Sequence, residues 1–76
     1  MTLDMIPIDA TVRVASVEST DAHAFRLMEM GMVPGAYVRV VKTAPLGDPI
    51  QVCVRNYHLA LRRAEAKSIT VTLAGE

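Results

Sequence analysis

The chain has 76 residues, 51% of them apolar and 21% charged, with eight Lys+Arg balanced by eight Asp+Glu. That length makes one domain spanning residues 1–76, which buries roughly 60% of its unfolded surface, and the apolar content excludes intrinsic disorder. Zero net charge excludes binding held mainly to phosphates or anionic lipid, because that binding depends on an excess of Lys and Arg that releases counterions.

No apolar run exceeds three residues, whereas a membrane span needs about 20, so no membrane insertion is expected. The opening Met1-Thr2-Leu3-Asp4 lacks the basic and apolar regions of a secretory leader. The single Cys53 cannot form an internal disulfide, which leaves a reducing cytoplasm as the expected location.

Val12, Val14 and Val17 mark a first strand over residues 10–17, with a slip in period at Ala15 and Ser16. Ser19, Thr20 and Asp21 then offer N-cap side chains for a helix over about residues 20–30, closed by Gly31. At 100° per residue, Ala22, Arg26 and Glu29 occupy a narrow polar face, while Phe25, Leu27, Met28 and Met30 help sweep roughly 220° of apolar arc. A helix lying on one core surface needs a stripe of little more than about 100°, so part of this arc is free for a partner.

Val33-Pro34-Gly35-Ala36 has the residues of a type II turn, Pro fixing the first φ and Gly accepting the positive second one. Residues 37–42 alternate as a second strand, and Ala44-Pro45-Leu46-Gly47-Asp48-Pro49 breaks it. Ile50, Val52 and Val54 form a third strand, and Asn56 turns the chain into a fourth carrying Tyr57, Leu59 and Leu61. Residues 62–66 suit a single helical turn, and Ile69, Val71 and Leu73 a last strand. Five short strands and one helix predict a mainly β fold bent and closed into a small barrel, because closure removes exposed sheet edges.

Neither a phosphate-binding loop nor a metal-ligand or nucleophile motif occurs, so no enzyme activity, catalytic residue or cofactor is expected. His23 and His58 have Asp21, Asp48, Cys53 and Glu65 as conceivable co-ligands, but no spacing requires them to meet, and no metal site is assigned. Met28 and Met30 point about 160° apart on a helix and so cannot share one ion there. The loop 45–49 holds an apolar tip, Leu46, and a carboxylate, Asp48, between two rigid prolines; it reads either as a recognition element or as a stiff turn in which Asp48 accepts backbone N–H bonds. Arg62, Arg63 and Glu65 read first as a solvated ion-pair face and second as a recognition patch.

Three ordered stretches, Arg26-Leu27-Met28-Glu29-Met30-Gly31-Met32-Val33-Pro34-Gly35, Ala44-Pro45-Leu46-Gly47-Asp48-Pro49-Ile50, and Leu59-Ala60-Leu61-Arg62 with Ala64-Glu65-Ala66, closely resemble the FeoA family. Two positions depart from its pattern: Asp9 ends the opening set by Leu3 and Ile6, and Asn56 precedes Tyr57, where the family favours Gly. Asp and Asn are the side chains that best tolerate a left-handed backbone.

The resemblance implies an SH3-like barrel and an accessory role in bacterial Fe(II) uptake beside FeoB, a permease with a cytosolic G-protein domain. It leads us to expect a non-enzymatic adaptor whose partner surface comprises Leu27, Met28, Met30, Leu46, Gly47 and Asp48. Nucleic acid is not an expected partner, and a homo-oligomer is a second way of covering the same surface. An alternative is an interaction module for a metal-dependent transcriptional repressor. A groove for Pro-rich peptides is not expected, since the aromatic residues are only Phe25, Tyr37 and Tyr57.

Overall fold

Alternation with a period of two decides which face of the sheet is buried. In the computed structural model, which describes residues 1–18 and 22–74, Val12 and Val14, Val38 and Val40, then Ile50, Val52 and Val54 all point to one side. They belong to β1 (Thr11–Val17), β2 (Tyr37–Thr43) and β3 (Ile50–Val54); β4 (Tyr57–Leu61) and β5 (Ile69–Leu73) complete an antiparallel sheet in the order β4-β3-β2-β1-β5. A short 3-10 turn at Leu3–Met5 precedes the strands, α1 (Ala22–Glu29) joins β1 to β2, and α2 (Arg63–Ala66) joins β4 to β5. Leu3, Ile6, Leu27, Met32 and Ala66 close the valine face into one hydrophobic core. No helix among the described residues is long and apolar enough to cross a membrane.

The turns follow from residues that tolerate positive φ. Gly31, at φ 107°, ends α1: Met32 N donates to Leu27 O at 3.0 Å and Gly31 N to Met28 O at 3.0 Å, while Leu27 and Met32 meet in the core. This is a Schellman closure with its hydrophobic contact. Gly35, at φ 93°, follows Pro34 in the expected type II turn, with Ala36 N donating to Val33 O at 3.0 Å. Asp9 and Asn56 have φ of 73° and 69°, so both positions where the family favours Gly are left-handed here. Arg55 shares this conformation at φ 51°, which makes Arg55-Asn56 a two-residue type I′ hairpin turn. The slip at Ala15 and Ser16 is a bulge in the pairing of β1 with β5, between Val14 and Ser16.

The expected barrel does not form. The sheet stays open, because β4 and β5 share no ladder. The outer edge of β5 is already occupied by the start of the chain: Thr2 bridges Thr70, and Val71 N donates to Met1 O at 2.9 Å. The N-terminal segment therefore takes the hydrogen-bonding groups that β4 would have needed for closure. Covering an edge is an alternative to closing the sheet, and here it serves one edge only. The helix expected over residues 20–30 spans Ala22–Glu29, with Met30 and Gly31 in the turn that follows, and the proposed N-cap residues 19–21 lie outside the described residues. The helical turn expected over residues 62–66 is α2.

Candidate functional site: a groove beside the open sheet edge

Helix α1 is anchored by a narrow stripe. Ala24 and Leu27 are buried, Met28 is half-buried, and Phe25 and Met30 remain 58% and 39% exposed. The wide apolar arc is thus partly unburied, as its width requires in so small a protein. Tyr57, the first residue of β4, donates its hydroxyl hydrogen to the carbonyl of Met30 and so fixes the C-terminal end of α1 next to the free edge of the sheet.

Between them lies a groove of about 580 Å³. It is lined by His23, Arg26 and Leu27 of α1, by Met30 in the turn that follows, by Asp48 and Pro49 of the loop, by Ala60 of β4, and by Arg62 and Glu65 at α2. A lining of apolar side chains with charges of both signs suits recognition of another molecule.

Loop 44–49 is held rigidly. Gly47 N donates to Ala44 O at 2.7 Å, and Ala44 N to Pro49 O at 3.0 Å. Asp48 Oδ1 accepts the backbone N–H of Arg63 at 3.0 Å, satisfying a donor in the first turn of α2. The same residue's guanidinium donates from Nε to Gly47 O at 2.9 Å and from Nη1 to Asp4 O at 2.9 Å. One arginine therefore fastens the loop, α2 and the N-terminal turn together. The Asp48–Pro49 peptide bond is cis. Leu46, at the tip, is 96% exposed.

Arg63 overturns the reading of Arg62, Arg63 and Glu65 as a solvated ion-pair face. It spends its donors on backbone carbonyls, and Glu65 Oε1 accepts the Arg62 backbone N–H at 2.8 Å, so these three side chains make no ion pair with one another. The second carboxylate oxygen of Glu65 lies 3.7 Å from His23 Nδ1. His58 sits apart on β4, its Nδ1 3.2 Å from Gln51 Nε2, and Cys53 is half-buried. Among the described residues no group of three or more His, Cys, Asp or Glu is placed to hold a metal ion.

Of the six residues expected at the partner surface, Leu27, Met30 and Asp48 share the groove. Leu27 serves mainly the core, and Met28, Leu46 and Gly47 do not line the groove. Arg26, Ala60 and Arg62 do line it; sequence reasoning missed Arg26 and Ala60, and held Arg62 only as the less favoured recognition patch. Arg26 was legible only as the polar side of a helix, and Ala60 carries no signal until its strand is known to be an edge.

Residues 1–73 match the model of the FeoA domain family. The chain belongs to the FeoA family. Over 60 residues it is 38% identical to the Fe(2+) transport protein A/Fe(2+) transporter FeoB fusion protein of Porphyromonas gingivalis; the match covers 79% of this chain and 7% of that much longer protein. The solution structure of FeoA from Chlorobium tepidum superposes with a TM-score of 0.93 at 40% identity, covering 99% of this chain and 71% of that one. The zinc complex of Stenotrophomonas maltophilia FeoA, described as a procaryotic SH3 domain protein, gives a TM-score of 0.85 at 41% identity, covering 95% and 89%. The FeoA relationship makes this chain a small, SH3-like FeoA domain, with the open sheet described above.

Proposed function

We propose that this FeoA-family chain is an adaptor of bacterial Fe(II) uptake that works in the cytoplasm by docking on the cytosolic, GTPase-bearing part of a FeoB-like permease. The observation that carries this reading is the fusion relative, in which a segment 38% identical to this chain is joined to an Fe(2+) transporter. Joining two modules in one polypeptide raises their effective concentration, an arrangement that helps modules which act on each other.

The docking surface supports the reading from this chain's own residues. Met30, Leu27 and Asp48 meet in one groove, and the Arg63-fastened loop holds Leu46 out as an apolar contact. An exposed leucine on a rigid loop loses little conformational freedom on binding, so more of its burial is retained as affinity. Asp48 orients that loop through α2. Adjusting transport or nucleotide turnover in the permease is the effect we assign to docking.

Calorimetric titration of the protein with the permease's purified cytosolic region tests this. We expect saturable binding, weakened about tenfold or more by Met30→Asp and by Leu46→Asp while the circular dichroism spectrum is unchanged. Absence of binding by the wild type contradicts the adaptor reading. Full affinity in both variants removes Met30 and Leu46 from the surface.

A further inference from the structure

The geometry points to a mode of docking: we propose that β4 is extended by one extended, acidic segment of a partner, which pairs with the backbone of His58 and Ala60 while its carboxylates meet Arg26 and Arg62. This rests on reading the protein as a docking module and specifies how it docks.

The hairpin fixes which backbone groups face outward. In a two-residue type I′ hairpin the residues flanking the turn, Val54 and Tyr57, exchange hydrogen bonds with each other. Bonded and non-bonded pairs then alternate along the strands, so Leu59 and Leu61 bond to β3 while the N–H and C=O groups of His58 and Ala60 point away from it. Among the described residues no strand lies beyond β4 and no other backbone group bonds to His58 or Ala60. Four backbone groups in register are therefore available to an added strand, which is how sheet edges recognise extended peptides.

Charge decides the occupant. Arg26 and Arg62 line the groove beside Ala60, and neither guanidinium has an ion-pair or hydrogen-bond partner among the described residues. The two carboxylates nearby are tied down, Asp48 on the Arg63 N–H and Glu65 on the Arg62 N–H. The two guanidiniums are thus the groove's charged groups left without a partner, and free guanidiniums select carboxylates. A second copy of the chain fits poorly, because pairing β4 with β4 about a two-fold axis brings the arginines of both copies to one seam.

Amide-resolved NMR of the intact protein tests the proposal with two capped hexapeptides, one alternating Glu and Val and the other Lys and Val. The Glu–Val peptide is expected to shift the His58 and Ala60 amides and slow their hydrogen exchange about tenfold, with no such effect from the Lys–Val peptide. Ala60→Pro removes an outward N–H at an edge position where Pro is tolerated, and should abolish the effect. The double variant Arg26→Glu, Arg62→Glu should weaken it about tenfold or more while leaving the fold intact. Equal responses to both peptides, an unmoved Ala60 amide, or full binding by folded Ala60→Pro would overturn the proposal. Permease binding that leaves these amides unmoved overturns edge pairing and keeps the adaptor reading; peptide pairing without permease binding does the reverse.

Discussion

The two edges of the sheet are treated in opposite ways. Along β5, the start of the chain lies against the strand, with Thr2 bridging Thr70 and the Val71 N–H bonded to Met1. Along β4, no strand is added among the described residues, and a groove runs between the edge and α1. An uncovered edge invites association, so natural proteins blunt or cover it unless it has a use. The contrast teaches that covering is within this chain's reach and is applied at one side only, which marks the other as the working side.

The largest test of that contrast is to loosen the cover. Leu3 is 1% exposed and pins the N-terminal segment to the core. Leu3→Ala should cost about 2–5 kcal/mol. For a domain this size that lowers the melting temperature by roughly 10 °C or more, measurable by calorimetry. The uncovered β5 edge should also make sedimentation concentration-dependent. A variant that melts normally and stays monomeric would show that the segment is not what protects β5.

Arg63→Ala comes next, because one guanidinium holds Gly47 and Asp4 through two charge-assisted hydrogen bonds. A loss of about 1.5–3 kcal/mol in urea unfolding is expected, together with faster proteolysis within residues 44–49. Asp48→Ala should cost about 1 kcal/mol, the usual effect of removing a carboxylate from a helix's first turn. Both substitutions act on the scaffold between the edges, so each should weaken partner binding in proportion to lost loop order.

Leu46→Ser sharpens the comparison from the opposite side. At 96% exposed, this leucine should tolerate the change within about 0.5 kcal/mol of wild-type stability, while affinity for the permease's cytosolic region falls. A clear drop in stability would instead make Leu46 a structural residue.

Much of the fold is legible from local chemistry. The valine alternation of β1, β2 and β3, the positive φ at Gly31 and Gly35, and the bulge announced by Ala15 and Ser16 are all short-range consequences of side-chain size and period. Closure of the sheet is not. It turns on Thr2 finding Thr70, a pairing of residues far apart in sequence that no periodicity encodes.

The site divides in the same way. Met30 and Leu46 stand out as apolar residues without a local burial partner, and both are exposed. Arg63 looks like one more solvated cation until the fold carries Asp4, 59 residues away, to within 2.9 Å. Ala60 has no distinguishing side chain, and its role arises from the outward direction of its backbone, fixed by the turn at Arg55 and Asn56.

Native-state hydrogen exchange of the free protein tests the asymmetry of the edges most directly. The Val71 amide, bonded to Met1, should exchange slowly, whereas the His58 and Ala60 amides should exchange about as fast as exposed loop amides. Comparable strong protection at all three would mean that β4 is covered too, and would contradict the account of an edge held open for a partner.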